Sequence, residues 1–271
     1  MRLVMRMDSR VSGLFLAVIL LAAATATQAR HWGGDVEVAV IGDGGQTFAT
    51  YPVERRSSAD VYRAYLEARN QTSYQIRVHN RGSGRVGLVI AVDGRNIISG
   101  EKSQLARGES MYILDGWESA TYEGWRTSRE RVNGFYFTRW KDSYAEAFGD
   151  RSARGVIAVA VYRERAPDLQ SLRKDAPAAA ERSAQAPASP GVLGEVAENQ
   201  PGTGFGEEIH SPVRVVAFEA QRAPALKYFI KYAWRDTLCR KGVIDCEPHE
   251  RNRFWDEDED RLGFAPYPPG K

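Results

Sequence analysis

Five polar and aromatic residues in the first half of the chain have the side-chain types of a binding surface. They are Arg95, Asn96, Trp117, Trp125 and Arg126. An exposed tryptophan beside arginine and asparagine can stack on a sugar ring or a peptide and hydrogen-bond to it. The alternative is structural: Trp125 closes the core, and Arg126 pairs with a carboxylate such as Glu123. Both interpretations stay open from the sequence.

The stretch RVGLVIAVDGRNIISG, residues 85–100, contains two members of this set beside a turn signal. Asp93 and Gly94 separate an apolar strand from NIIS, which predicts a two-residue hairpin of type I′ with positive φ at both positions. Arg95 and Asn96 then begin the return strand. We expect their side chains to be accessible, so that replacing both with alanine leaves folding nearly intact.

The chain contains no established catalytic or metal-binding motif. It lacks a nucleophile elbow, a zincin helix, a phosphate loop and an EF-hand loop. The four histidines are far apart in the sequence: His31, His79, His210 and His249. We therefore predict no catalytic residue, no metal site and no cofactor. The enzymatic alternative is an envelope hydrolase, acting on polysaccharide, with an Asp/Glu pair across a groove.

The first 29 residues have the layout of a secretory signal peptide. Three arginines in residues 1–10 precede an uncharged run, VSGLFLAVILLAAATA, that ends in small residues. The alternative is an uncleaved membrane anchor, but the run is short for a span of about 20 residues. No later run is long and apolar enough to span a bilayer. We expect a periplasmic or secreted protein.

Charge and cysteine usage narrow the classes of partner and site. Lys plus Arg number 37 and Asp plus Glu 35, a balance that argues against a nucleic-acid partner. Cys239 and Cys246 lie in CRKGVIDC, and in an oxidising compartment such a pair predicts a disulfide. Metal binding with His249 is the weaker alternative, because the spacing differs from that of common zinc pairs.

Residues 30–166 have the pattern of an all-β domain. Residues 74–80 alternate between apolar and polar side chains, whereas residues 86–92 and 155–164 are apolar on both faces and predict central strands. Shorter strands are predicted at 97–99 and 121–126, and a helical turn at 142–150. Many short strands imply an antiparallel β-sandwich of jelly-roll or immunoglobulin-like type.

The composition changes after residue 166. Residues 167–203 are rich in Ala, Pro, Ser and Gly, which predicts a flexible linker. Residues 204–271 are predicted to form a second, smaller β unit that contains the disulfide, with strands at 212–220 and 227–236 and an irregular C-terminal tail. Two strands are rarely stable alone. This unit would pack on the sandwich, assemble with another chain, or rely on its disulfide.

Several segments, taken together, resemble a domain of uncharacterised exported bacterial proteins. They are VDGRNIISG, GWR, DSYAEAFGD and GVIAVAVYRE, within residues 62–164. The resemblance implies a β-sandwich and a Gram-negative envelope. It supplies no established activity and therefore no catalytic residue.

These observations predict a noncatalytic exported envelope protein that acts by binding or assembly. Its expected partner is an envelope protein or a glycan. Beside the hydrolase, a third alternative is a structural subunit whose C-terminal strand completes the sheet of another chain.

Overall fold

The computed structural model describes residues 4–7, 34–54, 57–165 and 200–246. In chain order the strands are β1 (Val4–Met7), β2 (Val36–Gly42), β3 (Thr50–Pro52), β4 (Val61–Ala68), β5 (Ser73–Asn80), β6 (Val86–Val92), β7 (Arg95–Asn96), β8 (Met111–Leu114), β9 (Ser119–Tyr122), β10 (Gly124–Arg126), β11 (Arg131–Arg139), β12 (Val156–Arg163), β13 (Pro201–Thr203), β14 (Glu208–His210), β15 (Val213–Val215) and β16 (Leu226–Trp234). A 3-10 helix (Trp140–Asp142) and the helices α1 (Tyr144–Ala147) and α2 (Arg235–Arg240) complete the fold.

Two sheets stacked face to face confirm the predicted all-β sandwich. The large sheet has the order β15-β1-β8-β6-β12-β16-β4-β3, with β7 paired to β6. The small sheet has the order β10-β11-β5-β2, with β13 and β14 paired to β11 and β9 paired to β5. Most neighbours are antiparallel, but β16 runs parallel to β4, and β1 runs parallel to β8. The large sheet is therefore mixed.

The main core lies between the two sheets and is rich in aromatic side chains. On β5, Tyr74, Ile76 and Val78 are buried, as their alternation with polar residues predicts. The ring of Tyr74 stacks on Phe135 and Phe137 of β11 at centroid distances of 5.3 and 4.3 Å. Aromatic rings bury large apolar areas, so this group provides much of the contact between the sheets.

The outer face of the large sheet carries a second, smaller apolar cluster. All seven residues of β6 are buried, as expected of a central strand. Val89, on its outer face, packs with Met111 and Tyr162 beneath Phe218, which follows β15. The Tyr162 hydroxyl donates to the carbonyl of Leu105 at 2.7 Å. The segment after β15 thus covers part of this face.

The strands that the sequence assigns to a second β unit are members of the two sheets of the sandwich. β16 pairs with β12 on one edge and with β4 on the other, and β14 pairs with β11. Of the three arrangements left open by the sequence, the structure shows packing on the sandwich. The strands do not only pack on it but are hydrogen-bonded into its sheets. The apolar inner face of β16, with Tyr228, Ile230 and Tyr232, is covered by the main core.

Other boundaries differ from the predicted ones. Residues 121–126 belong to two strands, β9 and β10, which are separated at Glu123. The predicted strand at 212–220 is limited to β15, and the one at 227–236 ends at Trp234, where α2 begins. The end of the predicted linker, residues 201–203, forms β13. Residues 8–33, 166–199 and 247–271 lie outside the described residues, and with them most of the predicted signal peptide, most of the linker and the tail. Residues 4–7 of the predicted signal peptide form β1, which pairs with β8 and β15.

Two further findings concern the membrane prediction and the disulfide. None of the helices within the described residues is long and apolar enough to cross a membrane. The predicted Cys239–Cys246 disulfide is confirmed, and it joins α2 to the segment that follows it.

Candidate functional site

Trp117 is the most exposed large hydrophobic residue among those that the structure describes. Its side chain is 69% exposed, and its backbone has a φ of 63°. A tryptophan in the left-handed region costs about 1 kcal/mol or more relative to an ordinary conformation. The surrounding turn must therefore impose this conformation.

The turn at Trp117 is fixed by its own polar groups and by the facing loop. The Trp117 N–H donates to the carbonyl of Gly82 at 3.0 Å, and the Asp115 N–H donates to Glu118 Oε2 at 2.9 Å. Gly116 packs directly on Ser83, because a Cβ at position 116 would lie 2.2 Å from the Ser83 carbonyl oxygen. The turn after β8 and the loop between β5 and β6 are thus one packed unit.

Asn80 organises the other half of this unit. It is buried, and its Nδ2 donates to the carbonyls of Gly84 and Asp115 at 2.8 Å each. Its Oδ1 accepts from the Gly82 N–H at 3.0 Å. One amide side chain therefore ties both loops together. The indole of Trp117 is held out from a rigid base.

A cleft of about 1300 Å³ lies beside this turn, and we call it the Trp117 cleft. Its walls include the loop between β5 and β6, the end of β12 and the segment after β15. The charged residues that line it are Asp35, Arg81, Arg85, Arg163, Glu164, Arg165 and Glu219. The cleft is open to solvent at the end of the sandwich.

Ion pairs connect the walls of the cleft. Arg85 bonds to Glu164 Oε1 at 2.6 Å and donates to the carbonyl of Ala217 at 2.7 Å. Arg163 bonds to Asp35 Oδ2 at 2.8 Å. Each of these two carboxylates therefore already accepts a charge-assisted hydrogen bond from a guanidinium group.

The structure does not bring the five sequence-predicted binding residues together. Trp117 lies at the cleft, whereas Trp125 is 2% exposed in the main core, where its Nε1–H donates to the carbonyl of Gly204 at 2.9 Å. Arg126 lies beside the core, and its Nε–H donates to the Tyr112 hydroxyl at 2.7 Å. Trp125 thus occupies the core position that the structural alternative describes.

Asn96 is also a structural residue. It is 1% exposed, and its Nδ2 donates to the carbonyl of Ser110 at 2.9 Å while its Oδ1 accepts from the Ile98 N–H at 2.9 Å. These bonds form the turn over residues 97–99, where a strand is predicted from the sequence. The expectation that Arg95 and Asn96 can both be replaced with alanine without loss of folding is wrong on this geometry, because an alanine at position 96 would leave buried polar groups unpaired.

Arg95 lies at the opposite end of the sandwich from Trp117. Its guanidinium group is centred 4.2 Å from the ring of Phe148, which is 56% exposed. Tyr144 contacts both Phe148 and Phe205, at centroid distances of 4.9 and 5.4 Å. We call Arg95, Tyr144, Phe148 and Phe205 the Phe148 patch.

The hairpin at Asp93 and Gly94 is confirmed, with φ values of 50° and 84°. Asp93 does more than form the turn, because its carboxylate is fully buried. Its Oδ1 accepts from the Gly155 N–H and the Tyr232 hydroxyl at 2.7 Å each. Its Oδ2 accepts from the Thr203 N–H at 2.8 Å. The carboxylate therefore joins the turn to β12, β13 and β16.

The hydroxyl groups near Asp93 form a directed chain. Tyr232 donates to the carboxylate, so the Thr203 hydroxyl donates to Tyr232 at 2.7 Å, and Tyr74 donates to Thr203 at 2.8 Å. Burial raises the pKa of Asp93 to about 6, although these bonds oppose the rise. Asp93 is 0% exposed, so solvent and ligands do not reach its carboxylate, and we assign it a structural role.

Sequence reasoning missed the charged walls of the cleft. Arg85 precedes β6 and Glu164 follows β12, and the antiparallel pairing of these strands places the two side chains next to each other. Opposite charges at the ends of two predicted central strands were the available signal. Asp35 and Arg163 had no such signal, because Asp35 precedes β2 of the small sheet and Arg163 ends β12 of the large sheet.

Comparisons with known proteins found no relative of this chain. No family model, no curated protein and no solved structure matches the chain. Within the part of the chain that the structure describes, no three His, Cys, Asp or Glu side chains come together in an arrangement that would hold a metal ion.

Proposed function

We propose that this chain is an exported, noncatalytic binding protein of a bacterial cell envelope, and that the Trp117 cleft is its ligand site. The observation that carries the proposal is Trp117 itself. A large apolar ring stands in solvent, in a costly backbone conformation, at the wall of a cleft. Strained backbone and exposed aromatic rings concentrate at functional sites.

The export part of the proposal rests on two features. The N-terminal sequence has the layout of a signal peptide. The Cys239–Cys246 disulfide is a bond that persists in oxidising compartments such as the bacterial periplasm.

The noncatalytic part of the proposal rests on the ion-pair partners of the carboxylates in the cleft. A hydrolase of the alternative type needs two carboxyl groups that face each other across a groove and are available to contact the substrate. Asp35 and Glu164 are each paired with an arginine instead. This pairing favours a binding role for the cleft.

The third alternative is that the C-terminal strand completes the sheet of another chain, and the structure argues against β16 as that strand. β16 is hydrogen-bonded along both edges within this chain, to β12 and to β4. A strand with both edges paired has no free backbone groups to offer a second sheet. We therefore favour binding through the cleft over assembly through this strand.

The test compares wild type with one variant at each end of the sandwich. Immobilised mature protein would be exposed to fractionated envelope material, separated into polysaccharide, protein and lipid. We expect one fraction to be retained by wild type and by Phe148→Ala, and to be lost on Trp117→Ala. Phe148 is a matched control because it is also an exposed aromatic residue beside an arginine.

Two results would count against the proposal. Retention that is equal for wild type and Trp117→Ala would remove Trp117 from the site. Turnover of a polysaccharide, ester or peptide by wild type, lost on Asp35→Asn or Glu164→Gln, would replace binding with catalysis. Circular dichroism and melting temperature would establish that each variant is folded.

A further inference from the structure

The charge balance of the Trp117 cleft indicates which class of ligand it suits. Arg81 is paired with Glu37, Arg85 with Glu164 and Arg163 with Asp35. Recognition of an anion requires guanidinium groups whose charge is not already neutralised. Three of the four arginines of the cleft have a carboxylate partner. The fourth, Arg165, lines the cleft together with Glu219. The four arginines are thus balanced by four carboxylates when Glu37 is included, and we expect this balance to favour a ligand without net charge.

The ion pairs still offer many hydrogen-bonding groups. A guanidinium group has five N–H donors, and a carboxylate has about four acceptor positions. The pair of Arg163 with Asp35 uses one contact on each side at 2.8 Å, and Arg85 with Glu164 does so at 2.6 Å. Adjacent donors and acceptors of this kind match hydroxyl groups, because each hydroxyl both donates and accepts.

Trp117 supplies the complementary apolar surface. Its side chain is 69% exposed, and among the residues that the structure describes no aromatic ring or guanidinium group is stacked on the indole. A pyranose ring has an apolar face of C–H groups and an equatorial rim of hydroxyls. Such a ring can lie on the indole while its rim reaches polar groups of the cleft.

The volume of the cleft favours a chain of sugar rings over a single sugar ring. Its volume of about 1300 Å³ exceeds the roughly 300–1,000 Å³ of typical small-molecule pockets. The fixed loop around Trp117 reduces the entropy that ordering the site would cost on binding.

From these observations we infer that the ligand of the Trp117 cleft is an uncharged saccharide chain. This inference rests on the proposed function, because it names the ligand class of the same site. A peptide or an anionic polysaccharide is the competing class, and both are included in the test.

The first experiment is calorimetric titration of the full mature chain with defined probes. The panel contains neutral oligosaccharides of four to six hexose or N-acetylhexosamine units, uronate and sulfated oligosaccharides of equal length, and extended peptides. We expect binding of at least one neutral oligosaccharide, weakened tenfold or more by Trp117→Ala. Trp117→Phe should retain part of the affinity, and Phe148→Ala should retain all of it.

The second experiment measures the effect of salt. The affinity for a neutral saccharide should change by less than twofold between 0.05 and 0.5 M NaCl, because no net charge is neutralised on binding. Asp35→Asn leaves Arg163 without its partner. This variant should gain a salt-sensitive affinity for uronate oligosaccharides that wild type lacks.

The outcomes separate this inference from the proposed function. If none of the neutral oligosaccharides binds, or if wild type prefers the anionic or peptide probes, the saccharide inference is overturned. If retention of an envelope fraction still depends on Trp117 in that case, the proposed function stands with a different ligand. If Trp117→Ala changes neither experiment, both are overturned.

Discussion

The two ends of the sandwich both expose aromatic rings close to arginines, but the rings differ in what they contact. At one end, Trp117 projects from a turn beside a cleft whose arginines are paired with carboxylates. At the other end, Phe148 contacts Arg95 and Tyr144, and Tyr144 stacks on Phe205. The rings of the Phe148 patch contact one another, whereas the Trp117 side chain is 69% exposed and has no ring contact among the described residues.

This difference separates two uses of an exposed aromatic residue. In the Phe148 patch, cation–π and ring contacts give each side chain a partner within the fold, so exposure there is compatible with a stabilising role. At Trp117 the backbone has an unfavourable positive φ, and the ring is nevertheless exposed to solvent. Exposed area alone does not distinguish these cases, but the contacts of the ring do.

The largest expected effect is that of Gly116→Ala at the Trp117 end. The new methyl group would meet the Ser83 carbonyl oxygen at 2.2 Å, and backbone cannot move aside cheaply. We expect a loss of about 3 kcal/mol in the free energy of unfolding, together with loss of ligand binding. Gly84→Ala is the control, because its Cβ would meet nothing within 4 Å. Urea unfolding of both variants checks this, and equal stabilities would disprove the close packing of the two loops.

The next effect concerns pH and the buried carboxylate at the Phe148 end. The pKa of Asp93 is raised from 3.8 to about 6 in the folded protein. Between these values the folded state holds a proton that the unfolded state has lost, so the stability contributed by this proton is complete below pH 4 and is lost as pH rises to about 6. The total change is about 3 kcal/mol, since each pKa unit corresponds to 1.36 kcal/mol.

Asp93→Asn isolates this contribution from those of other groups. The free energy of unfolding of wild type minus that of the variant should fall as pH rises from 4 to 7. Denaturant unfolding at several pH values measures it. A difference that increases with pH would mean that the hydrogen bonds from Gly155, Thr203 and Tyr232 outweigh the cost of burying the charge.

Removal of the disulfide should have a smaller effect, confined to the Phe148 end. The bond closes a short loop, with a sequence separation of 7, and its loss should cost about 2.5 kcal/mol. Because the loop follows α2, we expect ligand affinity at the distant Trp117 cleft to be unchanged in Cys239→Ser/Cys246→Ser. Calorimetric unfolding and a binding titration test both parts. A weaker affinity in this variant would link the two ends.

The smallest effect is expected for Phe148→Ala. It removes a cation–π contact and an aromatic contact at the surface, together worth about 1 kcal/mol. This corresponds to a decrease in melting temperature of about 3 °C. Trp117→Ala should leave the melting temperature unchanged, because its ring has little contact to lose. If Trp117→Ala lowers it more than Phe148→Ala does, the contrast between the two ends is wrong.

The strand pattern of the sandwich could be predicted where one physical signal was sufficient. The alternation on β5 and the continuous apolar runs of β6 and β12 identified these strands within one or two residues. The Asp93-Gly94 pair identified its hairpin, because few residue pairs adopt positive φ at both positions. These signals are local, and the sequence contains them in full.

The parts that depend on distant partners could not be predicted. The apolar face of β16 indicated that something covers it, but the covering sheets belong to strands far away in the sequence. The burial of Asp93 was hidden for a different reason. An aspartate in a type I′ turn is explained by turn chemistry alone, so nothing local indicated that its carboxylate points inward.

The candidate site was predicted in part. Trp117 and Trp125 were both among the predicted binding residues, and only for Trp125 was a core position named as the alternative. Trp117 lies in a turn, directly after Asp115 and Gly116, whereas Trp125 lies in a strand, β10. Turn context favours exposure and strand context favours burial, but a single isolated tryptophan carries no periodicity of its own.

The position of β16 has a consequence for how the chain folds. It is the last strand of the described chain, yet it lies in the middle of the large sheet between β12 and β4. Pairings between such distant segments require large loops to close before they give any stabilisation, which makes folding slow. Until residue 234 is available, β4 and β12 each have an edge without its final neighbour. Because a chain is synthesised from its N-terminus, the large sheet of this one can close only after most of the chain has been made. A chaperone that protects open strand edges would be most useful during that interval.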